Sequence, residues 1–180
     1  FANVSRTLNL YAPGFSFLNN TFYRAGRGSN WTINLGSSGA GHANNTIIKN
    51  NIFYDCCENS DRTNCGWYGL DPSLSGVVAD YNLVVGIGAG TVKNTSDWTA
   101  GGQESHGING RDPLFVNPAA GDFHLQSNSA AIGKGTPLNN LFATDFSGTT
   151  RGSTWDIGAY EYISGTKAVP VPPNRLRVVN

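Results

Sequence analysis

The sequence of 180 residues contains no methionine, only three cysteines, and charged side chains at just 13%. So few long charged side chains leave little material for surface helices laced by ion pairs. Twelve Lys and Arg balance twelve Asp and Glu, for a formal net charge of zero at pH 7. Charge alone therefore draws the chain to neither nucleic acid nor an anionic membrane, and no nucleic-acid partner is expected. No apolar run approaches the roughly 18 residues needed to cross a bilayer, and the first residues carry neither a basic start nor an apolar signal segment. No membrane span is expected. The missing methionine and the start at Phe1 lead us to expect a processed or truncated piece of a longer precursor.

The cysteines, Cys56, Cys57 and Cys65, cluster together, and their odd number permits at most one internal disulfide. The expected bridge joins Cys65 to Cys56 or Cys57. Neither a second C-x-x-C nor a His pair at ligand spacing accompanies them, so no metal site is expected and the chain should need no cofactor. A loop-stapling disulfide implies an oxidising compartment, hence an extracellular or cell-surface location. Asn-x-Ser/Thr triplets at Asn3, Asn19, Asn30, Asn44 and Asn94 are candidate glycosylation sites. A chain this rich in Asn, Ser and Thr also produces such triplets by chance.

What the sequence does have is 23 glycines and abundant Asn, Ser and Thr, a composition that favours turns and strands. The chain reads as all-β. Self-similarity then aligns Asn19-Asn20-Thr21-Phe22-Tyr23 with Asn50-Asn51-Ile52-Phe53-Tyr54 and with Tyr81-Asn82-Leu83-Val84. The steps from Asn20 to Asn51 and from Asn51 to Asn82 are each 31 residues. Such regularity implies a solenoid. Alternation places Phe15, Phe17, Asn20 and Phe22 inward, matched by Thr46, Ile48, Asn51 and Phe53 and by Val77, Ala79, Asn82 and Val84. Stacked rungs would share one core, and each inward Asn would find donor and acceptor in the Asn of the next rung.

The stretches 26–30, 36–41 and 58–75 read as inserted loops, carrying Trp31, Trp67 and Tyr68 in or beside them. Gly86 to Gly110 reads as irregular, and short strands are expected near Phe115 and near Phe123. We divide the chain into rungs with inserted loops over 1–110, a capping segment of the same domain over 111–163, and a Pro-rich linker with a terminal strand over 164–180.

The Asn-Asn-x-Phe-Tyr rungs, the segment Asp112-Pro-Leu-Phe-Val-Asn-Pro-Ala-Ala-Gly-Asp-Phe-His-Leu125 and Asp156-Ile-Gly-Ala-Tyr-Glu161 resemble the C-terminal portion of bacterial right-handed parallel β-helix proteins of the pectate-lyase-like superfamily. The resemblance covers about residues 15–162 and departs at Ala130, where the family usually has Pro. It implies a right-handed parallel β-helix with a C-terminal cap and a secreted setting. It narrows substrate class to polysaccharide far more than it narrows reaction.

Two columns of the repeat are charged. Lys49 and Asp80 stand two positions before ladder asparagines, and Arg24 and Asp55 four positions after, so each column offers one ion pair across rungs. A lyase needs a base for the proton alpha to a uronate carboxylate and a cation, such as calcium, for the charge that develops. Lys49, Arg24, Asp55 and Asp80 are the candidate catalytic residues, and structural pairing is the simpler reading, since calcium wants several converging oxygens. Asp145, Arg151, Asp156 and Glu161 read as closing the exposed last rung, and His42, His106 and His124 as local hydrogen-bonding groups. Tyr23 and Tyr54 share an outward column, and with Trp31 and Trp67 they are candidates for stacking on sugar rings.

The function expected from the sequence is a secreted or surface module that contacts polysaccharide and is not itself catalytic. The alternatives are a polysaccharide lyase acting on uronate-containing glycans, with calcium, and an extracellular filament subunit. The filament would self-associate through an open β-helix end and through the strand Leu176 to Val179.

Overall fold

A computed structural model describes residues 8–26, 31–36, 43–56, 66–70, 74–86 and 103–165. These residues are nearly all β, with one short 3-10 helix at Pro118–Ala120. The strands are β1 (Leu8–Leu10), β2 (Ser16–Leu18), β3 (Thr21–Tyr23), β4 (Trp31–Leu35), β5 (Ile47–Lys49), β6 (Ile52–Tyr54), β7 (Gly66–Leu70), β8 (Val78–Asp80), β9 (Leu83–Val85), β10 (Ile108–Asn109), β11 (Phe115–Asn117) and β12 (Asp122–Leu125). Three sheets are parallel, in the orders β1-β4-β7, β2-β5-β8 and β10-β9-β6-β3. The chain thus visits the three sheets in one fixed order, pass after pass.

Three-residue strands survive because left-handed residues bend the chain between them. Asn19, Asn50 and Tyr81 have φ of 52°, 58° and 59°, and Gly14, Asn45 and Gly76 have 83°, 57° and 69°. Arg24 and Asp55 do the same at 51° and 53°. Asn tolerates this region because its short polar side chain hydrogen-bonds locally, and Gly because it has no Cβ. At Gly76 a Cβ would also overlap Asn45 Oδ1 of the preceding pass.

The 31-residue register is realised in two sheets. Phe22 lies beside Phe53 and Phe53 beside Val84, while Phe17 lies beside Ile48 and Ile48 beside Ala79. The Phe22 and Phe53 rings stack with centroids 4.7 Å apart and planes 3° apart. Both are fully buried with Ile33, Leu35 and Ile48, and each such side chain contributes on the order of 2 kcal/mol from the water it leaves. Phe15 departs from expectation: it sits at the edge of the corner and is exposed.

The asparagines form the expected ladder. Asn51 Oδ1 accepts from Asn20 N–H at 2.9 Å and Nδ2 at 3.1 Å, and Asn82 Oδ1 accepts from Asn51 N–H and Nδ2, each at 2.9 Å. The remaining Nδ2 protons of Asn51 and Asn82 reach Phe17 O and Ile48 O, both at 2.8 Å.

The third sheet corrects the sequence reading. β4 and β7 occupy stretches containing residues read as loop, so Trp31 and Trp67 lie in strands, although their side chains are outside the described residues. The step from Leu8 to Ile33 is 25 residues and from Ile33 to Tyr68 is 35. Unequal steps hide this sheet from a search at one period. β10, in the region read as irregular, likewise pairs with β9 in parallel.

β11 and β12 are the two short strands expected near Phe115 and Phe123, and they pair antiparallel. They and the following segment cover the outer face of the β3-β6-β9 sheet, burying Ile52, Leu83 and Val85 against Phe115, Leu125, Ala131 and Ile157. The segment 156–159 runs beside the first two passes: Asn19 Nδ2 donates to Asp156 O and Gly158 O, and Gly158 N–H donates to Asn50 O. The Arg151 cluster therefore braces the side of the sheets and does not close the last pass. Arg151 is 4% exposed, and its guanidinium meets Glu161 Oε2 at 2.6 Å, Gly158 O at 2.9 Å and Asp156 O at 3.2 Å. Asp156 in turn accepts from Gly133 N–H and Tyr162 N–H. The terminal strand expected at Leu176 to Val179 lies outside the described residues.

Replacing Asn51 by Ala should cost about 2–4 kcal/mol in denaturant unfolding, because it strands buried donors and acceptors on both neighbouring passes. Arg151→Ala should cost about 3–5 kcal/mol by leaving the Glu161 carboxylate without its ion-pair partner.

Candidate functional site

Strand alternation turns Phe17, Ile48 and Ala79 of the β2-β5-β8 sheet into the core and leaves Ser16, Ile47 and Val78, and Leu18, Lys49 and Asp80, on its outer side. Ser16 and Val78 are exposed and the other four half-buried. At the end of β8 the left-handed Tyr81 brings a polar cluster together with the segment 103–107.

Asp80 is its centre. Oδ1 accepts from Tyr81 N–H at 2.9 Å and His106 N–H at 2.8 Å. Oδ2 lies 2.8 Å from His106 Nδ1 and 3.4 Å from Ser105 Oγ. Burial opposes ionisation of this carboxyl, but the His106 side chain and backbone, with Tyr81 N–H, outweigh it and hold the group below its ordinary value. The His106 ring lies flat on Tyr81, with centroids 4.5 Å apart and planes 8° apart, and its side chain is 57% exposed. With Nδ1 engaged by the carboxylate, Nε2 is the nitrogen directed to external partners.

Glu104 stands two residues away in an opposite environment. It is 2% exposed, and its Oε1 and Oε2 accept from Asn82 Nδ2 at 2.6 Å and Asn82 N–H at 3.2 Å. The ladder of amides thus ends on a carboxyl. Burial, with a smaller push from the Asp80 charge, raises this group to about 8 against the donors of Asn82. His106 is the local hydrogen-bonding group expected of it, whereas the sequence reading did not single out Glu104. The signal was faint, since Glu104 follows Asn82 by 22 residues and not by 31.

The four charged candidates separate into two places. Arg24 Nε donates to Asp55 Oδ2 at 2.9 Å, as the column predicted, and the guanidinium lies 5.6 Å from the Tyr23 ring centre. Lys49 is beside Asp80 in register, yet among the described residues no ion pair joins them, because His106 has taken the carboxylate. No described contact connects the Arg24 pair to Asp80. Among the described residues no three His, Cys, Asp or Glu side chains converge to hold a metal ion.

The aromatic candidates are also redistributed. Tyr23 does point outward, but it is only 8% exposed, packed between Tyr54 at 5.8 Å and Phe123 at 5.3 Å. Tyr54 is half-buried against Phe115. The C-terminal segment packs on both rings, leaving Tyr23 buried and Tyr54 half-buried. Cys56 carries a free thiol packed against the core, where burial pushes it up to about 11, and Cys57 and Cys65 lie outside the described residues. Asn19 is buried with both oxygen and nitrogen engaged, so the folded chain cannot carry a glycan there. Asn44 is half-buried and accepts from Ser75 N–H, while Asn3, Asn30 and Asn94 lie outside the described residues, as does His42. His124 is tied to Asp122 at 2.6 Å and packs on Tyr160.

No helix among the described residues is long and apolar enough to cross a membrane. Comparison with family models, with curated proteins and with solved structures gives no match to this chain.

Because Glu104 holds its proton more tightly in the folded chain than at its ordinary 4.5, its contribution to stability is complete below about 4.5 and is lost as pH rises through about 8. Glu104→Gln should flatten this decline. Urea midpoints measured at several pH values check the slope, which should differ between wild type and variant by an amount on the order of a few kcal/mol across that window.

Proposed function

We propose that the chain is a right-handed parallel β-helix module of a secreted or cell-surface protein, which binds polysaccharide on the outer face of β2-β5-β8 without catalysing a reaction there. The three parallel sheets visited in fixed order support the helical reading. The observation that carries the binding reading is the Tyr81–His106 stack beside Asp80. A flat ring pair, a hydrogen-bonding carboxylate and the neighbouring Lys49 suit a sugar, which needs both a stacking face and acceptors for its hydroxyls. The β3-β6-β9 face cannot serve, being covered.

Binding to a panel of neutral and uronate-containing polysaccharides tests this. Tyr81→Asn should weaken the interaction about tenfold, as loss of one ring contact implies. It should leave stability within about 0.5 kcal/mol, because Asn fills the same left-handed corner at Asn19 and Asn50. No affinity for any glycan sinks the proposal.

The orientation of His106 by Asp80 favours a second reading, a uronate lyase in which Nε2 takes the C5 proton as the C4–O bond breaks and a C4=C5 double bond forms. Product absorbing in the ultraviolet, lost in His106→Ala, would establish it. Activity that instead required calcium and Lys49 would return the chemistry to the columns read from the sequence.

A further inference from the structure

Among the described residues the β2-β5-β8 sheet ends at β8, and a terminal strand ordinarily presents unpaired N–H and C=O groups to any passing chain. Here they are taken, and mostly by side chains. Gln103 Oε1 accepts from Ala79 N–H, and Gln103 Nε2 donates to Val77 O at 3.1 Å. One carboxamide thus makes both the hydrogen bonds that the N–H and C=O of one residue in a further parallel strand would make. Glu104 N–H then donates to Ala79 O at 2.7 Å, and its carboxyl holds the amide and side chain of Asn82. Beyond this point true main-chain pairing resumes, with Ile108 N–H on Asn82 O and Gly110 N–H on Val84 O.

We infer that Gln103 and Glu104 form a side-chain seal that ends the β2-β5-β8 sheet and prevents a strand of a second copy of this chain from adding to β8. Glycine-rich or small polar residues would fill the space without satisfying the edge. A carboxamide is the side-chain group that offers an acceptor and a donor side by side. The inference rests on these hydrogen bonds and not on any glycan, so it stands or falls separately from the binding reading.

Sedimentation over a concentration series, with backbone hydrogen exchange, tests it. Wild type should protect the Ala79 amide as it does the strand amides. Gln103→Ala should expose that amide in dilute solution, self-associate at about tenfold lower concentration than wild type, as loss of one to two edge hydrogen bonds implies, and regain protection once associated. Gln103→Glu, which still accepts from Ala79 N–H but cannot donate to Val77 O, should keep that amide protected yet self-associate more readily than wild type. Unchanged association and unchanged Ala79 protection in folded Gln103→Ala would overturn the seal. So would an Ala79 amide exchanging at the rate of an unstructured peptide in wild type, a result that needs no variant to fold.

Discussion

Everything described in this chain depends on keeping equivalent residues of successive passes beside one another, and the Asn20–Asn51–Asn82 ladder is the interaction that does so. An apolar stack such as Phe22 on Phe53 tolerates small slips, because dispersion has little direction. A buried amide does not. Displaced from its neighbour, it leaves a donor and an acceptor without water and without a partner. The ladder converts a roughly stacked core into one with a single register, and the left-handed corners at Asn19, Asn50 and Tyr81 follow from the same alignment.

The ladder also explains the most unusual group in the structure. A row of amides, each accepting from the one before, ends with donors that still need an acceptor, and Glu104 supplies it from a position 2% exposed. The two Asn82 N–H groups offset only part of the cost of burying this carboxyl, which therefore holds its proton more tightly than usual. Asp80, close by, is less deeply buried and has more donors, and it lies on the other side of its ordinary value. Two neighbouring carboxyls are thus separated in their acid–base behaviour by what surrounds them.

Much of this was legible in residue order. The columns Phe22–Phe53–Val84 and Phe17–Ile48–Ala79 could be read directly, because the steps between them are equal and aromatic or branched residues recur at them. The Arg24–Asp55 pair was legible for the same reason. The β1-β4-β7 sheet was not, since its steps of 25 and 35 residues share no period. Tyr23 and Tyr54 were correctly placed on an outward column. Their burial was beyond reach, because it depends on a segment about a hundred residues later folding back over them.

The sequence by itself determined the β class, the register of two sheets and the ladder, all set by residues one repeat apart, where short-range periodicity carries the information. Only the tertiary structure decided which faces remain open, that His106 and not Lys49 holds Asp80, and that Gln103 and Glu104 finish the sheet edge. Those choices are made where unequal loops return the chain to its own surface. Their outcome is governed by geometry and competition for hydrogen-bond partners, which no local pattern encodes.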